Sequence, residues 1–205
     1  MDLFSFFFAF YGLILGLAVA ELLSGFAGFI RARPLRAIEA RTALLAVLVF
    51  IDICATWLDA WRTLRNVSLN FESYWPPILI GTCLYLAAAV VFPRDPAEFD
   101  ALGDYYDRRK RFVVALLLAA EVLIGITFIG VYREAMQVRP AVFWLWQVPF
   151  KLALLGFWTA LIVVRSRRAN LVVLWALLVL FSIPYWTNGA APRWVHAHFD
   201  PPASQ

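Results

Sequence analysis

The sequence predicts an all-α, polytopic membrane protein with six transmembrane helices, and three observations support this fold class. Hydrophobic residues make up 63% of the 205 positions and charged residues only 16%, whereas a soluble domain is about 45 to 50% apolar and about a quarter charged. Six apolar runs are long enough to cross a hydrocarbon core of about 30 Å. Finally, basic residues concentrate in alternate loops, as they do in multi-span proteins.

The apolar runs define the predicted spans and divide the chain into four segments. These segments are a first three-helix half at 1–92, a cytoplasmic linker with an interfacial helix at 93–111, a second half at 112–187 and an outer tail at 188–205. The third and sixth spans are short, so we expect them to be broken or only partly inserted. The spans cover residues 5–30, 43–61, 76–92, 112–132, 142–164 and 170–187.

The basic residues predict the orientation of the chain. Twelve lie in the first, third and fifth loops, and five lie on the other side. Cytoplasmic loops are enriched in Lys and Arg, so we expect both termini outside and the protein in the inner (plasma) membrane of a cell. The same asymmetry explains the net charge of +4 without a nucleic-acid partner. The twelve are Arg31, Arg33, Arg36, Arg41, Arg94, Arg108, Arg109, Lys110, Arg111, Arg165, Arg167 and Arg168.

A short repeat suggests internal symmetry. The segments AELLSG (20–25) and AEVLIG (120–125) agree at four of six positions, and each lies in the first span of its half. Because each half has an odd number of spans, such a repeat would be inverted. Inverted repeats occur in transporters, where two oppositely oriented copies form a site near the midplane. The remaining spans share little beyond apolarity, so the repeat is supported by this one match.

Four ionisable side chains lie deep inside the predicted spans, about 10 to 14 residues from flanking arginines. At about 1.5 Å per residue, this spacing places them near the bilayer midplane. Each costs about 2.5 to 3.5 kcal/mol to insert, so they must pair inside the bundle. We interpret them as an ion or proton site; the alternative is an ion-pair network that only fixes helix packing. They are Glu21, Asp52, Glu121 and Lys151, the last being the counter-charge.

Polar side chains extend from this cluster toward the outer surface. Gln147 lies one turn outward of Lys151, and Asp59 with Arg62 and Thr63 would form an outer entrance, although Arg62 can instead snorkel to the interface. The inner parts of spans two and four are apolar. We therefore expect a hydrated pocket that opens outward and is closed below by apolar packing. One face of span two carries Asp52, Thr56, Asp59 and Thr63 at helical spacing.

Pro149 lies two residues before Lys151 and should kink span five, since proline frees a backbone carbonyl. The freed acceptor can coordinate an ion, the kink can act as a hinge, or it can be a simple kink. The two cysteines, Cys54 and Cys83, are interpreted as small buried hydrophobes. His196 and His198 are interpreted as part of a solvated tail, so we expect neither a metal site nor a cofactor.

The sequence contains no catalytic signature, so we do not expect an enzyme. The expected function is a channel or transporter that moves a small cation, a proton or a proton-coupled solute, with the lipid bilayer as its surroundings and a homodimer as a possible assembly. The alternative is a non-transporting receptor or assembly subunit, with an outward-facing ligand pocket and basic cytoplasmic loops that bind a partner.

Overall fold

A computed structural model describes residues 3–32, 39–64, 71–95, 98, 101–138 and 140–186. The described chain is all-α, as the sequence predicts. The predicted outer tail, with His196 and His198, lies outside the described residues, and so do the side chains of Arg62 and Thr63. The elements are α1 (Leu3–Ala32), α2 (Ala40–Leu64), α3 (Phe71–Val91), α4 (Leu102–Thr127), α5 (Ile129–Val138), the single turn α6 (Pro140–Val142), a π-helix (Phe143–Gln147), α7 (Val148–Val163) and α8 (Arg167–Trp186).

Within the described residues, three stretches are long and apolar enough to cross a membrane. They are Phe4–Arg31 in α1, Ala40–Trp61 in α2 and Phe143–Val163, which combines the π-helix with α7. A shorter apolar helix, Trp75–Val91, lies in α3. These helices indicate a membrane protein.

The helices pack around α3 and α2. The most extensive contacts of α3 are with α4 and α1, while α2 contacts α3, α8 and α1, and α7 contacts α4 and α8. In the predicted repeat α8 would correspond to α3, whose main contacts are with α4 and α1. Instead, α8 packs mainly on α2 and α7. The packing therefore does not show the predicted repeat.

The two ends of the bundle differ in chemistry. The aromatic end carries rings from the start of α1 and the end of α2 and exposed tryptophans from α3 and the π-helix: Phe4, Phe8, Trp57, Trp61, Trp75 and Trp144. The basic end carries the cations Arg31, Arg41, Arg94, Lys110 and Arg167. This arrangement resembles a membrane protein with an aromatic belt at one interface and basic residues at the other.

The predicted breaks in the third and sixth spans are absent: α3 is continuous through Pro76 and Pro77, and α8 is continuous over its whole length. The prolines lie near the start of α3, where they remove only two hydrogen bonds and leave the rest of the helix intact. The irregular backbone lies elsewhere, at Phe128 between α4 and α5 and in the π-helix that precedes α7.

The π-helix is explained by Pro149. Proline cannot donate a backbone hydrogen bond, and its ring would clash with the carbonyl of Leu145, four residues earlier. The chain widens by one residue instead, so that the Val148 N–H donates to the Phe143 carbonyl five residues back. Single π-turns of this kind are frequent at functional sites.

Candidate functional site

The centre of the site is an ion pair between two packed helices. Lys151 Nζ on α7 donates a hydrogen bond to Glu121 Oε2 on α4, at 3.1 Å. The Glu121 side chain is only 5% exposed, while that of Lys151 is 38% exposed. A buried carboxylate thus has a cation as partner, as the sequence predicts for Lys151.

Asp52 on α2 is the second acid of the cluster. It is 2% exposed, and its Oδ2 atom has no hydrogen-bond partner within the described part of the chain. Its carboxyl interacts electrostatically with Glu121, Lys151 and Asp59, and with the buried Tyr11 of α1. Three of the four predicted midplane charges therefore come together, and one acceptor oxygen among them is unsatisfied.

The polar face of α2 continues from Asp52 toward the aromatic end, where Thr56 is buried and Asp59 is exposed. Thr56 is 6% exposed, and Thr56 and Asp59 line a cavity of about 20 Å³ together with Tyr11 and Thr127. That volume holds about one water molecule. The predicted outward pocket is thus a narrow cavity, and the described part of the α2 face points inward at Asp52 and Thr56 but not at Asp59.

Gln147 lies in the π-helix, one turn toward the aromatic end from Lys151. Its Oε1 atom is buried and has no hydrogen-bond partner among the described residues. The widened turn thus places a second unsatisfied acceptor on the same helix as the Lys151 cation.

On the other side of the charged cluster, toward the basic end, the bundle is closed by apolar side chains, as predicted. Trp158 of α7 lies in this layer, fully buried and in edge contact with Phe181, and its Nε1 has no hydrogen-bond partner in the described chain. The layer therefore separates the charged site from the basic end. Its other residues, each at most 2% exposed, are Leu45, Leu48, Val49, Val114, Leu117, Leu154, Leu161, Leu174 and Leu177.

Glu21, the fourth predicted charge, is not part of the cluster. The ring of Phe8 lies 5.7 Å from that of Trp57 and 5.1 Å from that of Trp61, which fixes the register of the antiparallel helices α1 and α2. Counting inward from these contacts at about 1.5 Å per residue, Glu21 lies about 6 to 12 Å nearer the basic end than Asp52.

The prediction of one common depth is therefore wrong for Glu21. The predicted depth of Glu21 in the membrane is counted from Arg31, but α1 extends farther toward the basic end than α2 does. The Glu21 Oε2 atom instead lies 3.7 Å from the guanidinium of Arg94.

The basic end contains a polar network that the sequence analysis did not predict. Arg41 Nε donates to Glu39 Oε1 at 2.7 Å and its Nη1 to Asp107 Oδ1 at 3.0 Å, while Arg167 Nη2 donates to Glu39 Oε1 at 3.0 Å. Burial alone would raise the pKa of the Glu39 carboxyl, but hydrogen bonds from Arg41, Thr42 and Arg167 and the Arg41 charge lower the pKa below its usual range. The start of α2 is thereby held to α4 and α8.

A second part of this network joins α4 to the turn between α7 and α8. Lys110 Nζ donates to Asn170 Oδ1 at 2.9 Å and to the Val164 carbonyl, and Asn170 Nδ2 donates to the Ser166 carbonyl at 2.8 Å. Lys110 is 4% exposed and Asn170 fully buried. Burial lowers the pKa of the Lys110 ammonium. Lys110, one of the twelve predicted cytoplasmic loop cations, thus points into the bundle.

The sequence contains features of the Lys110 and Asn170 part of this network, but they do not identify which residues pair. Tyr106 and Lys110 are four residues apart and share a helix face, and Asn170 is the single amide at the start of the last apolar run. Nothing in the sequence indicates that these positions meet, because 60 residues separate Lys110 from Asn170.

Residues that can hold a metal ion are not grouped in the described chain: no three His, Cys, Asp or Glu side chains lie together there. Cys54 and Cys83 are free thiols, each partly buried. Comparison of the chain with protein-family models, curated proteins and solved structures gave no match.

Proposed function

We propose that the protein is a six-span membrane protein of the inner membrane that moves protons, or another small cation, through the site formed by Asp52, Glu121 and Lys151. The spans are α1, α2, α3, α4, the π-helix with α7, and α8, with both termini outside. The predicted repeat is not needed for this function.

The observation that carries the proposal is the unsatisfied oxygen of Asp52. Buried polar groups normally have hydrogen-bond partners, and ionisable residues inside a bilayer are costly and mark ion or proton pathways. A network that only fixed helix packing would be expected to satisfy its acceptors. Asp52 Oδ2, buried beside the Glu121–Lys151 pair, is instead free to bind a proton or an ion.

The geometry favours a proton over a larger cation. The cavity lined by Thr56 and Asp59, on the aromatic-end side of this site, holds about one water molecule, whereas an alkali cation would need several oxygen ligands or its own water shell. A proton can pass along one water and the Thr56, Asp59 and Asp52 oxygens. The apolar layer below must then open, or admit water transiently, for transfer to the basic end.

Flux into liposomes tests the proposal. We expect the purified protein to conduct protons under an imposed potential and Glu121→Gln to lose this flux while it remains folded, because the carboxylate that accepts a hydrogen bond from Lys151 is then absent. Glu98→Gln, which removes an acid 43% exposed at the basic end, is the matched control and should conduct normally. A folded wild-type protein without flux would favour the receptor or assembly function.

A further inference from the structure

A groove of about 660 Å³ lies between the basic-end halves of α1 and α3. It is separate from the charged site, because Glu21 is the sole member of the predicted charge set that lines it. Ser24 and Arg31 on its α1 side are exposed, so the groove opens to the surroundings of the bundle. Its polar lining consists of Glu21, Ser24, Arg31 and Arg94.

The groove carries a net positive charge, because two guanidinium groups face one carboxylate. Arg94 is 78% exposed and lies 3.7 Å from Glu21 Oε2. An exposed pair at that distance contributes little energy, so Arg94 keeps most of its capacity to bind another anion. Arginine binds phosphate through two parallel hydrogen bonds, and Arg31, in the last turn of α1, is a second exposed arginine that lines the groove.

The rest of the lining is apolar and includes glycine, alanine, proline and one phenylalanine. Gly25 allows α1 to approach α3 closely, since a Cβ at this position would lie 2.8 Å from the Phe92 ring. Ala88 and Ala89 line the wall beside it. From Arg31 to Glu21 the groove follows about 15 Å of helix. The groove therefore has Arg31 toward the basic end, Glu21 with Arg94 farther in, and apolar residues between them.

We propose that this groove binds the headgroup of one anionic phospholipid, whose phosphate accepts hydrogen bonds from the exposed side chains of Arg31 and Arg94. Basic pockets between transmembrane helices recognise acidic headgroups in this way. The proposal does not depend on ion transport, because none of its residues belongs to the Asp52, Glu121 and Lys151 site.

Native mass spectrometry of the full-length protein tests this proposal, with phosphatidylglycerol, phosphatidylcholine and inorganic phosphate as probes. We expect one phosphatidylglycerol to bind in preference to phosphatidylcholine. The variant Arg31→Gln/Arg94→Gln should lower the phosphatidylglycerol affinity on the order of 30-fold, about fivefold for each arginine. Arg108→Gln/Arg109→Gln removes two exposed charges from α4 at the same end and should leave the affinity unchanged.

Two single variants separate lipid binding from a loss of folding. Ser24→Leu narrows the groove without altering its charge and should lower the phosphatidylglycerol affinity, while Glu21→Gln removes the competing carboxylate and should raise it. Unchanged affinity in Arg31→Gln/Arg94→Gln, or equal losses in the α4 control, would overturn the proposal. Displacement of the lipid by millimolar inorganic phosphate would also overturn it, since the site would then take a free anion.

Discussion

At the scale of single residues, the Glu121–Lys151 pair determines what the buried charges cost. The Glu121 carboxylate is nearly inaccessible, so its charge depends on the ammonium that donates to it at 3.1 Å. Removing one partner of a buried pair leaves the other charge uncompensated, whereas removing both leaves no charge to stabilise. The pair therefore affects folding and function in separable ways.

We predict that Lys151→Met lowers the free energy of unfolding by about 3 kcal/mol, at the low end for a buried pair because the Lys151 side chain is partly exposed. The double variant Glu121→Gln/Lys151→Met should recover most of this loss. Denaturant unfolding in detergent micelles measures both. If Lys151→Met were as stable as the wild type, the pair would not compensate a buried charge.

A second prediction at this scale concerns Glu39, whose pKa is held below its usual value. A carboxyl with a lowered folded-state pKa stabilises the protein above its unfolded pKa of about 4.3, and this contribution is lost as the pH falls through the folded-state pKa. Glu39→Gln should therefore cost about 1 to 3 kcal/mol at pH 7, as expected for charged hydrogen bonds.

The pH dependence provides the check. Thermal unfolding of the wild type and of Glu39→Gln should differ most near pH 7 and converge as the pH falls through the lowered folded-state pKa of Glu39. A difference that stayed constant over this range would show that packing, and not the Glu39 charge, is responsible.

At the scale of helices, much could be predicted because helix formation is local. Each of the six apolar runs is helical, although the fourth, 112–132, is divided at Phe128 between α4 and α5, and Pro149 is correctly associated with an irregularity next to Lys151. The contacts between helices could not be predicted in the same way. Arg41 meets Asp107 across 66 positions, and no periodicity within one helix indicates such a partner.

The π-helix before α7 gives the prediction that belongs to this scale. Pro149→Ala restores the donor to Leu145 and should convert residues 143–147 to a regular α-helix, which rotates Gln147 by about 100° relative to Lys151. Proton flux should fall while thermal stability is unchanged or higher. Pro140→Ala, at the start of α6, is the control and should keep its flux. Retained flux in Pro149→Ala would show that the widened turn has no role in transport.

At the scale of the whole molecule, the account depends on chain orientation. Single cysteines introduced into a Cys54→Ala/Cys83→Ala background test this orientation. Met136→Cys on α5 should react with an impermeant maleimide in intact cells, and Arg109→Cys on α4 should react only after permeabilisation, because both native side chains are exposed. Labelling of both from one side would mean that α4 does not cross the membrane.

Depth was the part of the site that could not be obtained by counting. Counting residues from the flanking arginines places Asp52, Glu121 and Lys151 at a similar depth, and the fold does bring these three side chains together. For Glu21 it failed, because helices of different length do not end in one plane. Contacts between neighbouring helices, such as Phe8 with Trp57, are needed to set their relative depth.

The most direct test of the central claim is proton flux through liposomes that contain the wild type or Asp52→Asn, measured at both polarities and beside potassium flux. Asp52→Asn keeps the shape of the side chain but removes the carboxylate whose oxygen is unsatisfied. The account predicts proton flux in the wild type and a rate at the level of empty liposomes in the variant. Equal flux in the two proteins, or none in either, would contradict it.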